Sequence, residues 1–325
     1  MQTFYTFRPL LKRTLWGGDD IIKLKQTTDS HHYIGESWEV SGVPGDETVV
    51  ACGDDEGLSL QQLTRRYGAD FVGSYILRRY GETFPLLVKF ISAGQALSVQ
   101  VHPDDTLARR LGHPNGKTEM WYIISARPGA KIISGFNRPF SAREYSERLR
   151  DDTIMDVVRQ HESLAGQCYF IPAGRIHSIG AGNFLIEIQQ TSDDTFRVYD
   201  FGRVNDLGQR RELHVEQAKE ALNFVDCDSS PIPYPASKGS PTMLVNCREF
   251  TARQTAATQA LTLDYSRIDS FAIIICYEGR MRLTSGGESL QLQAGQSVLL
   301  PATTAQLHVQ PDGDGVKFLD TYIEQ

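Results

Sequence analysis

The chain has 325 residues, of which 40% are hydrophobic and 22% are charged. These values are typical of a globular protein with about two domains, each large enough to bury its own core. The formal net charge of −7 argues against nucleic acid or an anionic membrane as a partner, so an anionic ligand would need a locally basic site.

The first 20 residues contain no apolar run of signal-peptide length, and no run in the chain approaches the ~20 apolar residues of a membrane span. We therefore expect a cytoplasmic protein. The five cysteines are odd in number and widely spaced, which predicts reduced thiols rather than disulfides or a cysteine metal site. They are Cys52, Cys168, Cys227, Cys247 and Cys276.

Most of the chain is predicted to form short β-strands, because runs rich in β-branched and aromatic residues end at Gly, Pro or Asp. In chain order the runs are SWEVSG, ETVVACG, LLVKFIS, LSVQVHP, EMWYIIS, KIISGF, QCYFIPAG, NFLIEIQQ, FRVYDFG, SFAIIICYEG, MRLTSGG, ESLQLQAG and QSVLLPA. Regular short strands of this kind predict a mainly β fold of the sandwich or barrel type.

Helices are predicted between the strands as insertions. Ser59-x-x-Gln62 and Ser141-x-x-Glu144 have the spacing of capping boxes, in which each side chain bonds to the backbone at the other position. The predicted helical segments cover about 58–80, 141–161 and 214–223.

A change in composition marks a predicted domain boundary. Residues 226–241 concentrate prolines and small polar residues, which indicates a linker. We predict one domain over 1–225, which includes the longer helical insertions, and a second over 242–325.

One β unit occurs twice, at an offset of 129 residues. Gly166, Pro172, Gly174 and His177 follow the pattern G-x5-P-x-G-x2-H, and Gly295, Pro301, Thr303 and Gln306 have the same spacing. In such a unit a strand ends at proline and a tight turn brings a side chain inward. The inward residue is predicted to be His177 in the first copy and Gln306 in the second, which has then lost its metal chemistry.

A second motif lies in GQALSVQVHPDD, where Gly94 is followed by five residues and then by Gln100 and His102. Alternation along a strand directs residues 100 and 102 to the same face. Both motifs resemble those of the cupins, double-stranded β-helix barrels that hold a metal in the barrel mouth, with Gln100 in place of a histidine. The resemblance implies two cupin-type barrels, of which the second carries no metal.

A zinc-type site needs three or four nitrogen or oxygen donors. His102 and His177 come from the two motifs. Glu119, which begins the next predicted strand, is the expected carboxylate, although its separation of 17 residues from His102 departs from the usual cupin spacing. Gln100 is either a further ligand or a residue that holds the substrate or orients His102.

Taken together, LWGG, GESWEVSG, QVHPDD, GKTEMWYI, IPAGRIHSIGAG and EIQQTSDDTFRVYDFGR resemble the short bacterial form of the type I phosphomannose isomerases. The resemblance covers nearly the whole chain. It implies an aldose–ketose isomerase that interconverts mannose 6-phosphate and fructose 6-phosphate and uses one zinc ion per chain. It also accounts for the long separation before Glu119.

The resemblance implies roles for individual residues. The family's ligand pattern corresponds to Gln100, His102, Glu119 and His177. Its active-site arginine corresponds to Arg197, its K-x-E lysine to Lys117, and its acidic pair to Glu187 and Asp193.

The reaction must move a proton between C1 and C2 while negative charge develops on the sugar oxygens, so a base and an electrophile are both needed. A bound metal would stabilise the enediol-type intermediate. Glu187 and Asp193 are the candidate bases, and burial is expected to raise the pKa of Glu187. Either carboxylate could instead be a structural partner of Arg197 or Lys117.

Basic residues are expected to bind the phosphorylated substrate or the developing charge. Arg197 offers a planar set of donors and Lys117 a compact charge. Lys89 lies on the apolar run LLVKFIS and needs a partner; a structural ion pair is favoured, with substrate binding as the alternative.

Two other functions are weighed against the isomerase. A different metal cupin, such as an iron-dependent oxygenase, is disfavoured by the Q-x-H and K-x-E spacing. A sugar-binding cupin without turnover would leave Lys117 and Arg197 without a shared purpose.

Overall fold

A computed structural model describes residues 1–27, 33–204, 208–227, 229–236 and 239–324, so residues 228, 237 and 238 of the predicted linker lie outside it. The described chain is mainly β, as predicted. The strands are β1 Phe7–Arg8, β2 Leu10–Gly18, β3 Ile34–Val40, β4 Gly42–Val43, β5 Asp46–Glu47, β6 Val49–Val50, β7 Leu86–Ala93, β8 Val99–Val101, β9 Glu119–Ala126, β10 Lys131–Phe136, β11 Val158–Glu162, β12 Cys168–Ile171, β13 His177–Ile179, β14 Asn183–Gln190, β15 Phe196–Tyr199, β16 Thr242–Asn246, β17 Thr251–Ala257, β18 Leu261–Asp264, β19 Ala272–Ser285, β20 Glu288–Gln293, β21 Gln296–Leu300 and β22 Gln306–Tyr322.

The helices are short and lie between strands. They are α1 Asp20–Lys25, α2 Leu60–Tyr67, α3 Ala69–Val72, α4 Ser74–Tyr80, α5 Asp105–Arg110, α6 Ala142–Arg150 and α7 Val215–Ala221, with a 3-10 turn over Ile154–Asp156. None of the described helices has the length and apolar character needed to cross a membrane. All five cysteines are free, as predicted.

Two antiparallel sheets from the first two thirds of the chain face each other. The five-stranded sheet has the order β11-β10-β13-β8-β15, and the six-stranded sheet has the order β12-β9-β14-β7-β2-β3. Both contribute to one buried apolar cluster, with Ile132 and Ile179 from the first and Ile91 and Leu185 from the second. The functional side chains described below lie beside this cluster, between the two sheets.

Both faces of the six-stranded sheet are buried. Successive side chains of each strand point to opposite faces and so enter two different clusters. On β9, Trp121 and Ile123 join the cluster between the two sheets. Met120 and Tyr122 join a second cluster on the opposite face. Burial of both faces explains why these strands are continuous apolar runs.

The second cluster extends into a seven-stranded sheet built from residues 242–322. Its main order is β16-β17-β22-β19-β20, with β18 paired to β22 and β21 paired to β19. Ile273 and Ile275 of β19 pack in the same cluster as Tyr122, and the Tyr122 hydroxyl is 3.0 Å from the Tyr277 hydroxyl. The strand that begins with Glu119 is therefore in direct contact with the C-terminal sheet.

The repeat found in the sequence is confirmed as a structural unit. In the first copy β12 ends at Ile171 and β13 begins at His177; in the second, β21 ends at Leu300 and β22 begins at Gln306. Gln306 is nevertheless exposed, so the prediction that it points inward is wrong. Side chains alternate along β22, so Leu307 and Val309 pack in the core while Gln306 and its register partner Asp264 are exposed.

The predicted helical segment 58–80 is divided into α2, α3 and α4. Gly68 and Gly73 separate them with φ angles of 56° and 100°, a backbone conformation that ends a helix. The predicted segment 141–161 is α-helical only as far as Arg150; the 3-10 turn follows, and the last residues pair with β10 as strand β11. Helix α7 confirms the prediction over 214–223, whereas α1 and α5 were not predicted.

Only one of the two predicted capping boxes is complete. The Ser59 hydroxyl accepts a hydrogen bond from the Gln62 amide at 3.3 Å, and the Ser59 amide donates to the Gln62 side chain at 2.8 Å. The Ser141 hydroxyl accepts from the Glu144 amide at 3.1 Å, but the Glu144 side chain pairs with Arg138 instead.

We expect Ser59→Ala to lower the free energy of unfolding by about 1 kcal/mol, because it removes the acceptor at the N-cap of α2. Urea denaturation measures this change. Ser59→Asp keeps an acceptor at the same position and should retain most of the stability. Equal destabilisation by both substitutions would contradict the capping role.

Candidate metal centre

Two buried histidines form the base of the site between the two sheets. His102 follows β8 and His177 begins β13, and each is 1% exposed. The His102 Nδ1 atom is 2.7 Å from the Asp194 carbonyl oxygen, and the His177 Nδ1 atom is 2.8 Å from the Arg175 carbonyl oxygen. These contacts assign the proton to Nδ1 in both rings and leave Nε2 as the donor atom for a metal. The two Nε2 atoms are 3.1 Å apart.

Glu119 completes the donor set from the opposite sheet, at the first position of β9. Its Oε2 atom is 3.5 Å from His102 Nε2, and its Oε1 atom is 3.5 Å from His177 Nε2. The three side chains offer ligand atoms that all lie within 4.8 Å of one another. Glu119 is fully buried, and its Oε1 atom has no hydrogen-bond partner.

The donor set fits a divalent metal ion. An unpartnered carboxylate oxygen is costly to bury, and a bound cation would satisfy it. Burial lowers the pKa of both imidazoles, that of His177 to about 3, so both rings are neutral at neutral pH, as metal binding requires. Two imidazoles and one carboxylate are donors that zinc accepts, with a position left for another ligand.

Gln100 borders the donor set in the five-stranded sheet. It pairs with His177 on one side and with Arg197 on the other, so three predicted site residues form one row across the sheet. The Gln100 amide nitrogen is 3.3 Å from His177 Nε2. Rotating the amide by half a turn would direct its oxygen to the same place.

A second row crosses the six-stranded sheet, where Glu187 lies between Trp121 and Lys89 in register. The Trp121 indole nitrogen donates to Glu187 Oε2 at 2.8 Å. The Lys89 ammonium is 3.4 Å from Glu187 Oε1 and 3.2 Å from Glu36 Oε2. Lys89 therefore has the structural ion pairs that the sequence analysis favoured, and it also faces the site.

The pKa of Glu187 does not follow the expectation of a raised value. Burial alone would raise it, but the charges of Lys117 and Lys89 outweigh burial and lower the pKa. The Lys117 ammonium is 4.0 Å from Glu187 Oε1 and 2.6 Å from Glu119 Oε2. The prediction was wrong because it considered only the apolar neighbours of Glu187 in sequence, whereas both lysines come from other segments of the chain. Glu187 is thus ionised at neutral pH, a form that can accept a proton.

A pocket of about 370 Å³ opens onto these groups. All the predicted catalytic and substrate-binding residues line it: Lys89, Lys117, Glu187, Asp193 and Arg197. Sequence reasoning missed others: Arg13, Trp16, Glu36, Trp121, Thr195 and Arg211. Trp16 and Glu36 lie in quoted motifs, and alternation along β9 places Trp121 on the same face as Glu119, so these three were open to prediction.

Arg197 lines this pocket with one buried donor atom that no described protein group accepts from. Its Nη1 atom donates to the Glu212 carbonyl oxygen at 2.8 Å, whereas its buried Nε atom has no hydrogen-bond partner. The pKa of Arg197 is lowered mainly by burial and secondarily by the positive charge of Arg211.

Asp193 differs from Glu187, because burial raises its pKa. Of the two candidate bases, Glu187 is therefore the ionised group and Asp193 the more readily protonated one.

Opposed antiparallel sheets with a buried His–Glu–His set beside a charged pocket define a metal-binding enzyme built on a β scaffold. Residues 7–127 match the family model "Phosphomannose isomerase type I, catalytic domain". Residues 240–317 match "Mannose-6-phosphate isomerase, cupin domain". The chain belongs to the type I phosphomannose isomerase family.

Individual proteins agree with this assignment. A mannose-6-phosphate isomerase from Streptococcus mutans is 32% identical over 305 residues, which cover 94% of this chain and 93% of that protein. The crystal structure of a mannose 6-phosphate isomerase from Bacillus subtilis matches with a TM-score of 0.89 and 27% identity, covering 99% of this chain and 100% of that one. A zinc-bound mannose 6-phosphate isomerase has the same fold, with a TM-score of 0.79 and 15% identity, covering 100% of this chain and 100% of that one.

Proposed function

We propose that the protein is a zinc-dependent mannose-6-phosphate isomerase that interconverts mannose 6-phosphate and fructose 6-phosphate. Its zinc would be held by His102, Glu119 and His177, with Gln100 as a further ligand or a substrate contact. The observation that carries the proposal is the buried donor set beside a pocket that contains both cations and carboxylates. Family membership supports the substrate and the reaction.

A bound zinc ion would act as a Lewis acid on the sugar oxygens that gain negative charge during isomerisation. Glu187 supplies an ionised carboxylate that can accept the proton from one sugar carbon and return it to the other. Lys89 and Trp121 orient this carboxylate. Lys117 and Arg197 supply positive charge for the developing oxyanion and the phosphate. Asp193, whose pKa is raised, is the alternative residue for proton transfer.

We also propose the finer architecture. The opposed sheets of residues 1–225 would form one cupin-type barrel, which carries the metal, and residues 242–325 a second barrel without metal, joined by the linker 226–241. The start of the seven-stranded sheet at Thr242 supports this division. A cytoplasmic location remains a prediction.

A coupled assay tests the function. Zinc-loaded protein should form fructose 6-phosphate from mannose 6-phosphate, lose activity in a chelator and regain it when zinc is added. Absence of turnover by the zinc-loaded protein would refute the proposal. Iron-dependent oxygen uptake would instead indicate an oxygenase, and sugar binding without product would indicate a binding protein.

We expect Trp121→Phe to reduce kcat/KM about tenfold at neutral pH, because it removes a hydrogen bond to a charged carboxylate. The Trp121 hydrogen bond helps to lower the pKa of Glu187, so its loss should raise that pKa. If ionised Glu187 is the base, the acid limb of the pH profile should move to higher pH. An unchanged limb would argue against Glu187 in this role. Tyr265→Phe is a control that should leave the limb unchanged, since it removes a buried hydrogen bond to a carboxylate, Asp320, in the C-terminal sheet.

A further inference from the structure

The turn between β12 and β13 is held by a partly buried ion pair that the proposed reaction does not use. The Arg175 guanidinium donates to both carboxylate oxygens of Asp226, from Nε at 2.6 Å and from Nη2 at 2.9 Å. Its Nη1 atom donates to the Phe170 carbonyl oxygen at 2.7 Å. The two side chains are only 10% and 13% exposed. Bidentate pairs of this kind fix geometry more strongly than a single contact.

The backbone of the same turn contacts both histidines of the donor set. The Arg175 carbonyl oxygen accepts the hydrogen bond from His177 Nδ1, and the Gly174 amide donates to the His102 carbonyl oxygen at 3.0 Å. The position of the turn thus sets the orientation of the His177 ring. The Arg175 side chain and the carbonyl group that holds His177 belong to the same residue.

The second copy of the repeat shows that the turn itself does not require an arginine. There Thr304 corresponds to Arg175. The Thr304 amide donates to the Pro301 carbonyl oxygen at 2.9 Å, just as the Arg175 amide donates to Pro172 at 3.1 Å. The copy without the histidine therefore makes the same turn without the ion pair. The copy that contains the metal-ligand histidine thus has the Arg175 ion pair in addition to the turn.

We propose that Arg175 and Asp226 are positioning residues for the metal centre. Their ion pair fixes the turn so that the Arg175 carbonyl holds His177 with Nε2 directed at the metal. This inference rests on the proposed metal-dependent function. Changing a residue that orients a metal-binding histidine typically weakens metal binding about 10- to 100-fold.

The test compares zinc affinity, measured by competition with a chromophoric chelator, in the full-length protein and its variants. We expect Arg175→Lys and Asp226→Asn to weaken zinc binding about 10- to 100-fold and to change the Co²⁺ absorption spectrum. Asp226→Glu can keep both hydrogen bonds and should bind zinc almost as wild type does. The matched control is Arg253→Lys in the C-terminal sheet, where Arg253 pairs with buried Asp320. It should lower stability to urea and leave zinc affinity unchanged.

The experiment distinguishes failure of the proposed function from failure of the positioning role. Wild-type protein that binds no zinc would refute the proposed function itself. Wild-type zinc affinity and an unchanged Co²⁺ spectrum in Arg175→Lys, or in Asp226→Asn if the first variant does not fold, would refute the positioning role alone. Equal loss of zinc affinity in Arg253→Lys would also refute it, because the effect would then follow from general destabilisation.

Discussion

Replacing His177 with alanine is expected to lower kcat/KM for the conversion of mannose 6-phosphate to fructose 6-phosphate by about 10³-fold or more. The substitution removes one of three protein donors, and the Lewis acid is lost with the metal. Zinc content, measured by elemental analysis after gel filtration, should fall together with activity. The backbone hydrogen bonds of β13 do not involve the imidazole, so the far-ultraviolet circular dichroism should remain that of the wild type.

His308→Ala provides the control for this experiment. His308 is an exposed histidine on β22, whose Nδ1 atom contacts the Thr262 hydroxyl. Its removal should alter neither zinc content nor activity. Chelator treatment of the wild type should reproduce the His177→Ala result, and zinc should restore activity only to the wild type. Undiminished turnover by metal-free protein would contradict the metal-dependent mechanism.

Replacing Arg197 with alanine is expected to reduce kcat/KM about 10²- to 10³-fold while zinc content stays at the wild-type level. The range follows from the loss of a preorganised donor to developing charge, which costs about 3–4 kcal/mol of transition-state stabilisation. Arg197 lies on the pocket wall, and Gln100 separates it from His177 in the sheet register. The substitution should therefore affect the substrate without removing a donor to the metal.

The control and the conservative variant define the role of Arg197 further. Arg280→Ala removes an exposed arginine that pairs with Asp312 in the C-terminal sheet, and it should leave kcat/KM unchanged. Arg197→Lys keeps the charge but not the planar donor geometry, so it should recover only part of the activity. Loss of zinc from Arg197→Ala would show that this residue supports the metal centre instead.

Several features could be predicted because they depend on local spacing. Alternation along a strand and the five-residue run before proline predict which side chains point inward, and the resemblance to the two cupin motifs then assigned His102 and His177 to one site. The same reasoning found the repeated unit, whose turns coincide in the two copies. Glu119 needed the family resemblance as well, because 17 residues separate it from His102.

Other features could not be predicted because they depend on which strands become neighbours. The spacing of residues within one segment does not determine strand neighbours. The pKa of Glu187 is lowered by lysines on other segments, although its own apolar neighbours predicted the opposite. Likewise, β11 forms because its residues complete an edge of the five-stranded sheet, which overrides the helical character of the preceding segment. Gln306 was assigned inward from its match to His177, but alternation along β22 places Leu307 in the core and Gln306 on the solvent face.

The six-stranded sheet has a thermodynamic consequence because both of its faces are buried. One face carries Glu119, and the other packs against Ile273 and Ile275 of the C-terminal sheet. A metal ion that binds only the native arrangement adds its binding free energy to the stability of that arrangement. Since the sheet cannot separate from either neighbour without exposing apolar surface, this added stability extends to the C-terminal residues, which hold none of the ligands.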